Sequence, residues 1–245
     1  MNANQERMER FTAWVAIAGG IFAYLNVVLA AIVTGGDFML TLDGARMLGL
    51  PPEMRELFRL SMFADLLGFY FPVLVIGGYL WHRFRDETGA FGDMAALAIL
   101  LYVVVGVSGA AILQTALHTL GTMHDGADEA GKTVAESIWA TVAYFSQRGL
   151  WWCEGPVVLF WGIIVGGQLK QAGWGASILV PLKIVGWCFG LFFVFGFFPA
   201  LNNLTNGMLV IVVLVFPLWM ILFGLKLLRR PELRMGASRA SLSSS

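Results

Sequence analysis

Asp65 and Glu154 are carboxylates set inside runs of apolar residues, and Gln114, His118 and Arg148 stand toward the same ends of such runs. A polar side chain placed at membrane depth is expensive, so a set gathered on one side points to a wet pocket or a buried bonding network. A carboxyl group there is either held neutral by desolvation or ionised by a partner, and Arg148 is the partner the sequence offers. Gln114 and His118 are four residues apart and share one helix face. Histidine is the side chain that changes charge near neutral pH, which makes His118 a candidate proton relay. Asn26 adds an amide in the outer half of the first run, and Asn202, Asn203 and Asn206 lie in the connection between the last two runs. The candidate ligand-binding or proton-carrying residues are therefore Asp65, Gln114, His118, Arg148, Glu154 and Asn206. A purely structural alternative is an Asp65–Arg148 pair with Gln114 and His118 as hydrogen-bonding partners.

Other chemistries have weaker support. His118, His124, Asp125 and Asp128 are close in sequence, but their spacing matches no established ligand pattern, so no metal site is expected. His82 and His118 fall toward opposite ends of the bundle and cannot hold a haem between them, and no other cofactor is called for. Ser108 has no nucleophile-elbow motif around it. Cys153 and Cys188 have no metal or redox spacing and read as small core residues.

The elements that must position these groups follow from composition. The 245-residue chain is 58% hydrophobic and 13% charged, with a mean hydropathy of +0.74, which excludes a water-soluble domain. A helix of about 20 residues spans about 30 Å of hydrocarbon. Six such spans are read at 13–34, 60–81, 94–120, 149–167, 181–200 and 207–228, giving an all-α, polytopic membrane helix bundle over residues 1–230. The first run lacks a small-residue cleavage site and is expected to stay as helix one. Residues 231–245, rich in Ser and Ala, are expected to be a disordered tail.

Orientation follows from Lys and Arg, which collect on cytoplasmic segments. Arg7, Arg10, Arg83, Arg85, Lys170, Lys226, Arg229, Arg230, Arg234 and Arg239 share one side, and both termini are expected to be cytoplasmic. The opposite loops are acidic, with Asp37, Asp43, Glu53, Glu56, Asp125, Asp128, Glu129 and Glu136. A net charge of zero gives no reason to expect nucleic-acid binding.

Within segment 35–59, Pro51 and Pro52 begin a helix that runs into span two. Segment 121–147 turns apolar at Val134, Ile138, Trp139, Val142 and Phe145, as for a helix on the membrane surface or capping the bundle. Pro72, Pro156 and Pro217 lie within spans, where each removes a backbone hydrogen bond. Small residues four apart, such as Gly19 with Ala23 and Gly162 with Gly166, signal close helix packing. Pro181 is placed at the first position of helix five, which puts Lys183 in the opening turn, snorkelling to the surface. Trp151 and Trp152 lie beside Arg148, where a cation–π contact is available.

The run LFRLSMFADLLGFYFPVLV, with its Arg59 to Asp65 spacing, and the segment LVPLKIVGW entering span five resemble a family of bacterial six-helix membrane proteins catalogued only as a domain of unknown function. The resemblance covers about residues 10–228 and implies a fold but no activity. The acidic segment 125–136 and the run WWCEGP depart from it. Three functional readings follow. One is a bilayer-embedded protein of the bacterial inner membrane that binds or transports a small solute or lipid, in its strongest form coupled to protons through Asp65 and Glu154. The second is an intramembrane enzyme using His118 and the carboxylates as acid and base. The third is an accessory or sensory subunit docking a membrane-protein partner. No inverted repeat and no polar path continue into the other half of the bundle, which argues against a channel.

Overall fold

The computed structural model describes residues 3–229, and all regular structure among them is helical. The elements are α1 (Ala3–Thr34), α2 (Gly44–Leu48), α3 (Pro52–Asp65), α4 (Phe71–Thr88), α5 (Ala90–Gly126), α6 (Glu129–Phe145), α7 (Glu154–Gln171), α8 (Ala176–Phe195) and α9 (Asn202–Leu228). Two pairs run on without a loop. A π turn at Leu66–Tyr70 joins α3 to α4, and a π turn at Ser146–Leu150 followed by a 3₁₀ turn at Trp151–Cys153 joins α6 to α7. Counting these as continuous, six helical segments are long and apolar enough to cross a membrane. The tail at 231–245 lies outside the described residues, as does Arg230.

Pairing of α1 with α9 sets the frame. Gly20 lies against Pro217 and Ile221, and Gly224 lies against Ala13, so the two helices run antiparallel. The two ends of the described chain therefore share one end of the bundle with Arg83, Arg85 and Lys170, here called the basic end. The core beneath it is aromatic: Trp161 meets Trp219 edge-on at 5.7 Å, and Phe223 stacks on Trp219 and Trp174 at 5.4 and 5.1 Å. Such offset and edge-to-face pairs hold rings in fixed orientations.

Toward the opposite, acidic end the helices are longer than a hydrocarbon core requires. The 37 residues of α5 extend about 55 Å by helical rise, well beyond the hydrocarbon core. Returning antiparallel along this extension, α6 takes the capping role that was one of its two expected placements. The face it buries is narrower than expected. Ala135, Trp139 and Ala143 point inward, while Val134, Ile138 and Phe145 stay exposed, because alanines let α6 approach where larger side chains would hold it off. At Gly44 the backbone of α2 rests on the Glu136 peptide, leaving no room for a Cβ.

This cap has its own core of Met47, Phe58, Leu113, Leu117 and Trp139. Trp139 donates its indole N–H to the Thr41 carbonyl at 3.0 Å and meets the Phe58 ring edge-on. Arg55, 7% exposed, donates to Asp125 of α5 and to the Leu48 carbonyl, tying α3, α5 and α2 together. The Arg46–Asp37 pair is different in kind. Arg46 holds the Asp37 carboxyl below its usual range, but both side chains are half exposed and the pair adds little to stability.

Helix five departs from expectation. Its start is at Ala176, not Pro181, and it ends at Phe195 rather than near residue 200. Gly173, at φ +74°, closes the turn after α7, and extended Gly175 caps the next helix, so the chain re-enters helix five residues early. Pro181 lies inside α8, and Lys183 sits seven residues from the helix start, about 10 Å by rise. Similarly, Asn202 and Asn206 belong to α9 rather than to a connecting loop.

Helix approach in the bundle depends on absent side chains. A Cβ on Gly68 would overlap the α1 backbone at Phe22 and Ala23, whereas one on Gly78 meets nothing within 4 Å. Gly68→Val is therefore expected to destabilise the protein by about 1–3 kcal/mol, the range for overpacking, read as a lowered melting temperature in detergent. Gly78→Ala should leave the melting temperature in place.

Candidate functional site

The site is built around the irregular turns. Pro72 has no N–H, and its ring crowds the carbonyl four residues earlier, so a regular helix cannot run through Gly68–Pro72. The chain accommodates it by widening to a π turn, with the Phe71 N–H bonding the Leu66 carbonyl. Widened turns of this kind often accompany functional positions. Tyr102 of α5 donates its hydroxyl to the Phe69 carbonyl at 3.1 Å, so the turn is held from across the bundle. Asp65 is the last residue of α3 before this turn, and Tyr70 is its last residue.

Glu154 is placed by equivalent means. Pro156 follows it by two residues, and the chain reaches it through π and 3₁₀ turns in place of a continuous α-helix. Trp151 donates its indole N–H to the Gly106 carbonyl at 3.2 Å, and Trp152 donates to the Phe193 carbonyl at 2.9 Å while stacking on the Phe193 ring. One tryptophan thus fastens the turn to α5 and the next to α8, with Glu154 held between. Among the described residues the cation–π contacts involve Arg83 and Arg85 and not Arg148, and both indoles donate their N–H to backbone.

The two carboxylates are 6% and 5% exposed. Asp65 Oδ1 accepts from Asn26 Nδ2 of α1 at 2.9 Å. Glu154 Oε1 accepts from the Tyr70 hydroxyl at 3.0 Å. Tyr70 lies against Tyr102, ring centroids 5.2 Å apart, and occupies space that only a glycine at 106 leaves open. A polar thread of two hydrogen bonds, linked to each other through the chain from Asp65 to Tyr70, therefore runs from α1 to α7 beside the tilted rings of Tyr70 and Tyr102. Among the described residues no cation forms an ion pair with either carboxylate. Two acceptor atoms on this thread, Asp65 Oδ2 and Asn26 Oδ1, are buried with no hydrogen-bond partner.

Of the six candidate residues, Asp65 and Glu154 are brought together in this way. Arg148 and Asn206 form a separate group, with Arg148 Nη2 donating to Asn206 Oδ1 at 3.1 Å and to Met39 Sδ at 3.9 Å. The Asp65–Arg148 pair considered from sequence is not formed. Gln114 and His118 do share a face, but it is turned away from the carboxylates. The inward stripe of α5 runs through Tyr102, Gly106, Leu113 and Leu117, leaving Gln114 on its flank and His118 exposed. His124 pairs with Glu136 at 3.0 Å in the cap.

Tyr70 and Tyr102 are the site residues that sequence reasoning passed over, because tyrosine in an apolar run reads as core. The available signal was chemical, since a buried phenol needs a partner for its O–H. Compared with protein-family models, with curated proteins and with solved structures, the chain matches none.

Tyr70→Phe keeps the ring in its slot beside Gly106 and removes the donor to Glu154. It is expected to lower stability by about 1–3 kcal/mol, the cost of leaving a buried acceptor unpaired, measured by thermal unfolding of the purified protein. Tyr70→Ala should cost more, because it also empties the slot.

Proposed function

We propose that this chain is a multi-pass protein of the bacterial inner membrane, with both termini cytoplasmic, in which Asp65 and Glu154 carry protons and couple them to binding or movement of a small solute or lipid. The observation that carries the proton reading is the unmatched pair Asp65 Oδ2 and Asn26 Oδ1. Both are acceptors, and both sit on the two planar groups already joined by the Asn26 Nδ2 to Asp65 Oδ1 bond. A proton on Oδ2 supplies a donor for Asn26 Oδ1 and converts one hydrogen bond into a two-bond acid–amide pair. Removing that proton leaves a buried charge with no counter-ion, which the bilayer interior penalises. Asp65 thus has a loaded state that its surroundings satisfy and an unloaded state that they do not. Such a difference is what a coupled ligand or conformational change can use.

Glu154 supports the same reading from the other side of the π turn. It has a neutral donor, Tyr70, and no ion-pair partner among the described residues, an arrangement suited to a proton acceptor, and Tyr70 itself stands only five residues after Asp65. The Arg148–Asn206–Met39 group stands six residues before Glu154, toward the acidic end, where a polar solute or headgroup arriving from that side would first meet it. The enzyme reading loses support with His118 facing outward.

Infrared difference spectroscopy across a pH titration of the purified protein tests the proton reading. The wild type should show the carbonyl stretch of protonated carboxyl groups near neutral pH. Asp65→Asn and Glu154→Gln should each remove part of it, and the double variant the whole of the buried component. A wild-type spectrum superimposable on that of the double variant would sink the proposal.

A further inference from the structure

A cleft of about 240 Å³ opens between α7 and α8 toward the basic end. Its floor is a glycine-to-glycine approach of the two helices, Gly162 against Gly186, with neither offering a side chain to fill the space above. Ile163 and Trp187 form outward-facing apolar walls, 54% and 58% exposed. Lys170 and Lys183 line the same cleft. Among the described residues neither lysine takes part in an ion pair.

The position of Lys183 makes this more than a basic helix end. Because α8 starts at Ala176, Lys183 stands about two turns inside the helix, exposed beside Leu182 and Gly186, which face α7. Leu182 contacts Gly166, which sets Lys183 one turn deeper than Lys170. Two ammonium groups at successive depths, at the mouth of an apolar slot, match the shape of one particular kind of molecule. Its anionic group sits between the two cations, and its hydrocarbon continues down the slot. Basic pockets between membrane helices are a recurrent way of holding anionic lipid headgroups.

We propose that the α7–α8 cleft binds one anionic phospholipid, with its phosphate between Lys170 and Lys183 and an acyl chain lying over Gly162 and Gly167 against Trp187. This site is separate from the carboxylate thread and stands whether or not Asp65 and Glu154 carry protons. Charge complementarity selects the occupant: an unpaired lysine set into a membrane helix gains a counter-charge, and a zwitterionic lipid supplies no net charge to do so.

The test uses full-length protein in nanodiscs of phosphatidylcholine alone or with phosphatidylglycerol added. Phosphatidylglycerol should raise the melting temperature of the wild type by several degrees, and native mass spectrometry should find one phosphatidylglycerol retained per chain. The double variant Lys170→Gln/Lys183→Gln should lose most of the shift and the retained lipid, while Lys170→Arg/Lys183→Arg keeps both. Gly167→Leu probes the slot itself. A Cβ there meets no protein atom within 4 Å, so a leucine has open space to extend into the cleft and should also abolish retention. Inorganic phosphate should give no shift, which distinguishes a lipid site from an anion site. The proposal is overturned if phosphatidylglycerol stabilises the wild type and the Gln double variant equally, if it stabilises neither, or if Gly167→Leu retains the lipid.

Discussion

A proline in a membrane-spanning helix frees a carbonyl in a medium that offers it no water. Most of what is unusual in this protein follows from how it answers that constraint at Pro72 and Pro156. At Pro72 the helix loosens into a π turn that the Tyr102 hydroxyl of α5 holds in shape, and ahead of Pro156 it loosens into a π turn and a 3₁₀ turn whose own Trp151 and Trp152 fasten to carbonyls of α5 and α8. Each carboxylate stands beside one of these turns. The backbone repair and the polar site are thus one construction, and the Tyr70 to Glu154 hydrogen bond joins its halves.

Small residues make that joining possible. Gly106 admits the Tyr70 ring, Gly109 admits Trp151, and Gly68 brings the first π turn onto α1 close enough for Asn26 to reach Asp65. Without a hydrophobic drive between helices in lipid, such close backbone approach supplies much of the association energy. The glycines that pack the bundle therefore also set the distances within the polar thread. The cap at the acidic end is held differently, by a compact apolar core and by buried Arg55, as in a soluble fold.

Much of the fold was legible from residue order. Six apolar spans, the helix that Pro51 and Pro52 begin, and the packing role of the four-spaced small residues all follow from local chemistry, and the structure has the same elements. The boundaries that moved are instructive. The apolar stretch before Pro181 continued the helix where proline chemistry alone suggested a start, and this carried Lys183 from an interface into a cleft. For α6 the hydrophobic pattern ran through Val134, Ile138, Trp139, Val142 and Phe145, and of these only Trp139 is fully buried against the cap. Alanines won instead, because the available gap against α2 and α5 is narrow.

What sequence alone determined is where polar groups interrupt apolar runs, because the energetic cost of such groups in a membrane is a property of each residue in its own span. It singled out Asp65 and Glu154 on that basis. Which of the other polar residues join them was decided by helix rotation and by contacts between segments far apart in the chain. Rotation turned His118 outward and left Gln114 on a flank, while Arg148 found Asn206 and Met39. Tyr70 entered the site through a turn whose geometry depends on Pro72 and on a hydroxyl from α5. These partnerships exist only once the helices are packed, since a side chain's direction around a helix axis has meaning only against a neighbour.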